Sequence, residues 1–371
     1  MTAQPAPKVV KNRRIPRRGY LVGTLNYPGK YLRKGLFQTI FHVTYRCNSR
    51  CLFCFNREKL NTLDDELDTK EIELISRSMP QFPWLMLSGG EPLLRTDVDS
   101  IIKVFISNNN VRHVTLPTNG LLPARIASLC ESILSQAKST TLTLAVSIDD
   151  TGGKHDKLRG VAGNFDAAIE TIKAAIKIKR RFPALCVKVN TVVGAHNCDN
   201  IDEVIQCVAG LGVDMHTIDI IRDIPGQPTR HPSQEAIEEI LLKAIDMYEY
   251  YNGYENIGRH MYPFRKLSKA LLKRAIYISL ETVNREKQVI PCYAGRVNTV
   301  IYPDGDIAPC EMLPSLGNLR DSGYDFQALW NSREAQQTRK SIRRGECYCY
   351  HPCYTLTNIL FNPLELVRAI K

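Results

Sequence analysis

The segment Arg46-Cys47-Asn48-Ser49-Arg50-Cys51-Leu52-Phe53-Cys54-Phe55 carries three cysteines at C-x3-C-x2-C spacing. A [4Fe–4S] cluster is normally held by four cysteine thiolates, so three thiolates would leave one iron with an open coordination position. An open position on a metal is where a ligand binds and reacts, as catalytic zinc sites show. The spacing therefore predicts a ligand-binding cluster, with a structural zinc site as the alternative.

The composition is that of a globular protein that can hold one large domain and a smaller one. The chain has 371 residues, of which 44% are hydrophobic and 23% charged, both ordinary values. Its sequence contains neither an apolar run as long as a membrane span nor a signal peptide. We therefore expect a cytoplasmic protein. In that reducing compartment, clustered cysteines are typical of metal sites.

The net charge of +11 comes from one end of the chain. Residues 1–57 contain twelve Lys or Arg and no Asp or Glu, and the remaining 37 basic residues nearly balance the 38 acidic ones. Such a basic arm can contact a polyanion or the surface of an anionic membrane, and a solvated tail is the alternative. No nucleic-acid-binding motif accompanies the arm, so no nucleic-acid partner is expected.

Short β-rich runs alternate with amphipathic helical patterns between residues 37 and 225. Such alternation favours parallel β/α units, and about six units fit, fewer than a complete barrel needs. We predict an α/β fold, in which a partial (β/α)6 TIM-type barrel is followed by a small cysteine-rich α+β domain. The predicted strands are 39–44, 84–87, 113–116, 142–148, 185–193 and 215–221, and the clearest helices are 69–78, 165–179 and 200–210.

The chain divides into four predicted regions. Residues 1–36 form the basic arm, and 37–232 form the barrel core, which ends in a Pro/Gly-rich stretch. Residues 233–284 are predicted as a helical linker region that begins at an N-cap serine. Residues 285–371 form the cysteine-rich domain.

Polar or glycine-containing segments follow most of the predicted strands. Functional groups gather at the carboxyl ends of the strands in parallel β/α barrels, so we expect these segments to surround one site. Glycines let a backbone approach a ligand closely, and an arginine fork suits a carboxylate. The candidates are Gly89, Gly90 and Glu91 after the second strand, Thr118 and Asn119 after the third, Ser147 and Arg159 at and beyond the end of the fourth, and Asn190 in the fifth. Near the sixth strand, His216 and Arg222 are candidates for packing or for substrate contact.

The cysteine triplet, with Phe55 after its last cysteine and Gly89-Gly90-Glu91 downstream, resembles the signature of the radical S-adenosylmethionine (radical SAM) enzymes. The resemblance implies that Cys47, Cys51 and Cys54 hold a [4Fe–4S] cluster whose open iron binds SAM. It also implies reductive cleavage of SAM to a 5′-deoxyadenosyl radical, with an electron from a donor such as flavodoxin or ferredoxin. By the same resemblance, the Gly-Gly-Glu segment binds the SAM ammonium, and Ser147 and Arg159 bind its carboxylate. Thr118, Asn119 and Asn190 would then lie near its ribose and methionine.

The C-terminal cysteines carry a second resemblance. Cys292 is followed by Gly305 and Cys310 at a spacing that resembles the SPASM/Twitch extensions of radical SAM enzymes, which carry auxiliary [4Fe–4S] clusters. The last group, Cys347, Cys349 and Cys353, departs from the SPASM pattern because no cysteine follows it. Five ligands are too few for two fully ligated clusters, so one auxiliary cluster is expected. Its ligands would be Cys292, Cys310 and two of the last three, with Cys353 favoured; zinc is the alternative.

The two resemblances together predict a radical SAM oxidoreductase or maturase. The substrate is expected to be a small molecule, sugar-like or anionic, because residues 1–36 are few for a peptide-recognition domain. Modification of a ribosomally made peptide or a protein side chain is the first alternative. A non-catalytic metal-binding module is the second, although it would not require the Gly-Gly-Glu segment. No residue stands out as a catalytic acid, base or hydrogen donor.

Overall fold

The fold is described from a computed structural model that covers residues 35–63, 65–137, 139–222, 231–250 and 265–370. Nearly all of the basic arm lies outside these residues, and so do its predicted contacts. None of the helices in the described part of the chain is long and apolar enough to cross a membrane.

Six parallel strands form the centre of the molecule. They lie in the order β6-β5-β4-β3-β2-β1 within one sheet. Alternating residues point to opposite faces of each strand, so one face packs on the helices and the other faces the barrel interior. The strands are β1 (Gln38–Thr44), β2 (Trp84–Gly89), β3 (His113–Thr118), β4 (Thr141–Ser147), β5 (Leu185–Val193) and β6 (Met215–Ile220).

Helices connect successive strands, as the parallel arrangement requires. The first begins at Thr69 because Asp68 forms a capping box with Glu71: each side chain accepts the other's backbone N–H at 2.8 Å. The helices are α1 (Thr69–Ser78), α2 (Val98–Asn109), α3 (Pro123–Leu134), α4 (Gly152–Arg159), α5 (Asn164–Lys179) and α6 (Ile201–Ala209). The predicted α/β partial barrel is thereby confirmed.

The C-terminal region continues the same sheet. Strand β7 (Asn298–Ile301) pairs in parallel with β1, and β8 (Asp306–Ala308) and β9 (Gly317–Asn318) follow in antiparallel pairing. This junction places the cysteine-rich region against the first strand of the barrel. The remaining helices are α7 (Gln234–Tyr250), α8 (Arg265–Arg285), α9 (Phe326–Trp330), α10 (Arg333–Arg344), α11 (Pro352–Leu360) and α12 (Pro363–Ile370).

Candidate functional site

The three cysteines of the triplet lie in the loop that follows β1. Cys51 is buried, and Cys47 and Cys54 are half-buried. The loop is fixed to the end of α4, because the backbone N–H groups of Arg50 and Leu52 donate to the carbonyls of Arg159 and Leu158 at 2.9 Å. The loop therefore holds its cysteines in a defined place at the carboxyl edge of the sheet.

The thiols of this loop lie close enough to affect one another. Burial raises the pKa of Cys47 and of Cys54 to about 11, and the neighbouring cysteines add to both shifts. Thiols with raised pKa values, such as those of Cys47 and Cys54, become thiolates readily only when a metal supplies positive charge. The donor set therefore fits a thiolate-ligated cluster. In the described part of the chain, no group of three or more His, Cys, Asp or Glu side chains is arranged to hold a single metal ion.

The Gly-Gly pair after β2 passes directly against the start of the cysteine loop. A Cβ on Gly89 would lie 2.1 Å from the carbonyl oxygen of Thr44, and one on Gly90 would lie 2.2 Å from that of Arg46. Gly89 also has a φ of +118°, which side chains rarely adopt. Glycine is therefore required at both positions for the β2 end to reach the loop.

Glu91 connects the ends of β2 and β3. Its side chain is buried; Oε1 accepts the backbone N–H of Leu93 at 3.0 Å, and Oε2 accepts that of Asn119 at 2.7 Å. Burial raises the pKa of Glu91 to about 7, although these hydrogen bonds oppose the shift. The carboxyl group thus titrates near neutral pH, beside the residues predicted to bind SAM.

Asn119 contacts the cysteine loop itself. Its Nδ2 donates to Oδ1 of Asn48 at 2.7 Å and to Oγ of Ser49 at 2.9 Å. The neighbouring Thr118 is buried, and its Oγ1 accepts the N–H of Gly120 at 3.1 Å. The end of β3 therefore positions the loop between Cys47 and Cys51.

Arg159 forms an ion pair with Asp149, and both side chains are buried. Its Nε and Nη2 atoms lie 2.6 and 2.5 Å from Oδ2 of Asp149, and its Nη1 donates to Sγ of Cys51 at 3.7 Å. Burial alone would lower the pKa of Arg159, but Asp149 and Cys51 outweigh it and the pKa rises. A permanent positive charge therefore lies against the cysteine triplet.

Ser147 and Asn190 lie side by side on adjacent strands. They pair in the β4–β5 register, and both are half-buried. Oδ1 of Asn190 accepts the hydroxyl of Thr217 at 2.5 Å. The two predicted SAM-binding residues thus share one surface at the carboxyl ends of β4 and β5.

A central cavity of about 630 Å³ brings the predicted site residues together. Its volume is within the usual range of ligand pockets, roughly 300–1,000 Å³. The cavity wall includes all eleven residues predicted to bind the first cluster or SAM: Cys47, Cys51, Cys54, Gly89, Gly90, Glu91, Thr118, Asn119, Ser147, Arg159 and Asn190. Their individual roles remain predictions.

Four C-terminal cysteines form a second group. Cys292, Cys310, Cys347 and Cys349 belong to one packed cluster that also contains Ile342, Tyr354 and Cys353. The pKa values of Cys310 and of Cys349 are raised to about 12, mainly by burial and in part by the other cysteines of this group. The structure thus brings these predicted ligands together outside the central cavity.

Cys353 is placed differently from the other four. It packs against the same apolar cluster but also lines the central cavity, which the other four do not. Burial raises its pKa, and the groups that act on it include Arg222, Glu311 and Cys349 of the auxiliary group. Cys353 therefore stands between the auxiliary group and the cavity.

The two candidates near β6, His216 and Arg222, have different surroundings. His216 is fully buried on the face of β6 opposite Thr217 and Asp219, which line the cavity, and its Nε2 lies 2.8 Å from Oγ1 of Thr191. His216 is therefore a packing residue, whereas Arg222 lines the cavity.

Sequence reasoning missed three charged residues on the cavity wall: Lys188, Asp219 and Glu311. The alternation of β5 would have placed Lys188 on the same face as Asn190. Glu311 offered only the weak signal that it follows Cys310 directly.

Two protein families match the chain at the two cysteine regions. The Radical SAM superfamily matches residues 41–208, and the SPASM family, an iron-sulfur cluster-binding domain, matches residues 292–355. This chain is a radical SAM protein with a C-terminal SPASM domain. Membership implies a SAM-binding [4Fe–4S] cluster, SAM itself and an auxiliary iron–sulfur cluster, in place of the zinc alternatives.

Two relatives illustrate what this radical SAM protein is similar to. It is 28% identical to the AdoMet-dependent heme synthase of Methanosarcina barkeri over 317 residues, which are 83% of this chain and 86% of the relative. It is 29% identical to a probable GTP 3′,8-cyclase of Methanocella arvoryzae, over 55% of this chain and 63% of the relative.

Solved structures share the fold. The structure of anSMEcpe with bound AdoMet and the Cp18Cys peptide superposes with a TM-score of 0.56 at 15% identity, over 82% of this chain and 83% of that one. Streptococcus suis SuiB bound to S-adenosylmethionine superposes with a TM-score of 0.53 at 17% identity, over 85% and 71%. At these identities the likeness establishes the fold alone.

Proposed function

We propose that this radical SAM enzyme oxidises a small anionic substrate in the central cavity. When held by Cys47, Cys51 and Cys54 and by the auxiliary cysteines, the cofactors would supply the radical chemistry: one-electron cleavage of SAM to methionine and a 5′-deoxyadenosyl radical that takes a hydrogen atom, and acceptance of one further electron by the auxiliary cluster. The substrate would thereby lose one hydrogen atom to the adenosyl group, one electron to the auxiliary cluster and one proton to the buffer. Flavodoxin or ferredoxin is the proposed electron donor.

One observation carries this proposal. The wall of the central cavity includes the cysteine triplet and the predicted SAM residues, and it also includes Arg222, Glu311 and Cys353. Glu311 directly follows an auxiliary cysteine, Cys310. A molecule bound in this cavity would therefore share one cavity with the predicted radical source and with residues next to the auxiliary group.

In this proposal the residues of the chain bind and orient SAM. Gly89 and Gly90 present backbone groups beside the cysteine loop, and Arg159 and Ser147 offer donors for the SAM carboxylate. Glu91 holds the ends of β2 and β3 together and is the acceptor proposed for the SAM ammonium.

Lys188 favours an anionic substrate. Its side chain points into the cavity from β5, and among the described residues it makes no ion pair within 4 Å. Burial lowers its pKa, and Asp219 only partly offsets this shift. A cation held away from water is stabilised by a ligand that brings negative charge.

For the auxiliary cluster we propose the ligands Cys292, Cys310, Cys347 and Cys349. Cys292 and Cys347 are among the groups that raise the pKa values of both Cys310 and Cys349, whereas only Cys349 of these four acts on Cys353, which also lines the cavity wall. This choice replaces Cys353, which the sequence pattern favoured.

The substrate class can be tested by fractionation. Anaerobically reconstituted enzyme is given SAM, dithionite and either the small-molecule or the peptide fraction of a cell extract, and 5′-deoxyadenosine is measured above the background. We expect stimulation by the small-molecule fraction, its loss after treatment with an anion exchanger, and a weaker response in Lys188→Met. Stimulation by the peptide fraction alone would instead establish the maturase alternative.

A carboxylated tetrapyrrole is the first pure compound to test. The similarity to the heme synthase of Methanosarcina barkeri, which covers 83% of this chain, supports this choice. Fe-coproporphyrin III serves as the probe, because the Fe-coproporphyrin III synthase of the same organism is 30% identical to this chain over 38% of its length. Octaethylporphyrin iron, which lacks carboxylates, is the matched control: stimulation by both compounds would contradict a role for the carboxylates.

A further inference from the structure

A buried ion pair lies between the two cysteine regions. The side chain of Glu311 is 4% exposed and has partners from two other parts of the chain. Its Oε2 accepts a hydrogen bond from Nη1 of Arg222 at 2.6 Å, and its Oε1 lies 3.0 Å from Nε2 of His42. A carboxylate and a guanidinium are thus fixed beside Cys310.

The pair contacts both cysteine regions. The guanidinium of Arg222 lies 4.4 Å from the ring centre of Phe55, which follows Cys54 of the triplet. The backbone N–H of Glu311 donates to the hydroxyl of Tyr354 at 3.1 Å, within the apolar packing of the auxiliary cysteines. Any charge at this position therefore acts on the auxiliary group at close range.

The charge state of Glu311 follows from its neighbours. Its two carboxylate oxygens face the guanidinium of Arg222 at 2.6 Å and the imidazole of His42 at 3.0 Å, and a carboxyl group paired this closely with a guanidinium is held in its ionised form. A buried carboxylate disfavours an added electron on a nearby cluster, and a guanidinium favours it, because both act through a low local dielectric.

We propose that Glu311 and Arg222 are positioning residues that set the reduction potential of the auxiliary cluster without binding it. The inference rests on the proposed function, which places that cluster next to Cys310. Because the pair is neutral overall, each residue offsets the effect of the other. The potential can thus be held at a value suited to accepting an electron from the substrate.

The experiment is a potentiometric titration of the full-length chain, followed by electron paramagnetic resonance. A Cys51→Ala background removes the SAM-binding cluster, so the auxiliary signal is measured alone. The variants are Glu311→Gln, Arg222→Gln and the double variant. Glu365→Gln is the matched control, because Glu365 is equally buried and pairs with Arg274 at 2.6 Å but belongs to α12, a helix that carries no cysteine.

We expect Glu311→Gln to raise the reduction potential of the auxiliary cluster by at least about 59 mV. For a one-electron couple this corresponds to a tenfold change in the equilibrium constant for reduction. Arg222→Gln should shift it the opposite way, and the double variant should return towards the starting value. If the substitutions acted through a packing defect, both single variants would instead shift the reduction potential in the same direction. The two shifts would then add in the double variant.

Two results would overturn the inference. Either Glu311→Gln shifts the potential no more than Glu365→Gln does, or the double variant shifts it as far as Glu311→Gln. If the parent protein binds no auxiliary iron at all, the proposed function fails together with the inference, and iron analysis of the parent distinguishes that case.

Discussion

The Nη1 atom of Arg159 donates to the Sγ atom of Cys51 at 3.7 Å, while the rest of the guanidinium holds Asp149. Arg159, the last residue of α4, thus connects Asp149 at the end of β4 to the cysteine loop. Cys51 lies 108 residues before Arg159 in the chain. The arginine proposed to bind the SAM carboxylate is already fixed in direction by this ion pair. The protein therefore preorganises a positive charge at the site before SAM enters.

Replacement of Arg159 by Gln should destabilise the apo protein by about 3–5 kcal/mol, because Asp149 would be left buried without its partner. Urea unfolding measures the change. Arg181→Gln is the control, since Arg181 pairs with Glu131 on the surface and should cost about 0–1 kcal/mol. Equal effects of the two substitutions would show that the Arg159 pair is not a buried structural link.

Replacement of Gly89 by Ala should reduce the free energy of unfolding by at least about 2 kcal/mol. The added Cβ would meet the Thr44 carbonyl at 2.1 Å, and the φ of +118° would be strained. Gly153→Ala is the control, because its Cβ would meet nothing within 4 Å. If both variants unfold at the same urea concentration, the β2 end does not pass against the loop as described.

Glu91 predicts a dependence of stability on pH. Its pKa is about 7 in the folded protein against an ordinary value of 4.5, so between these values the folded state binds more protons than the unfolded state. The free energy of unfolding should therefore fall as pH rises through this window, by up to about 3 kcal/mol from this group.

Urea unfolding of the apo protein between pH 5 and 7.5 tests this dependence against Glu91→Gln. The variant lacks the titrating group, so its stability relative to the parent should increase with pH. A constant difference between the two proteins would mean that the Glu91 carboxyl group does not titrate in this range.

The auxiliary ligand set predicts unequal effects of two neighbouring cysteines. Cys349→Ala should lower the iron content of the reconstituted protein by up to about half, because one of two [4Fe–4S] clusters would keep only three of its four proposed thiolates. Cys353→Ala should retain it, and Cys207→Ala on α6 controls for the loss of a thiol. Loss of auxiliary iron in Cys353→Ala but not in Cys349→Ala would restore the assignment favoured by the sequence.

The barrel was predictable because its signals are local. Six strands recur between amphipathic helices, and the prediction of 185–193 for β5 agrees with the strand found, Leu185–Val193. The predicted SAM residues follow strand ends, and parallel pairing brings all such ends to one edge. The eleven predicted residues of this site therefore line one cavity.

The contacts between regions were not predictable because no local pattern specifies them. Glu311 and His42 are 269 residues apart, and the pairing of β7 with β1 depends on the whole barrel being formed. The position of Cys353 on the cavity wall follows from the docking of α11, which sequence spacing does not define. The predicted regional boundaries stay predictions for the same reason.

The most direct test of the account is the yield of 5′-deoxyadenosine from anaerobically reconstituted protein given SAM and dithionite. We predict that the parent protein forms 5′-deoxyadenosine and methionine, and that Cys51→Ala, which lacks one of the three predicted cluster ligands, forms neither. A parent protein with an intact, reducible cluster that leaves SAM uncleaved would contradict the account.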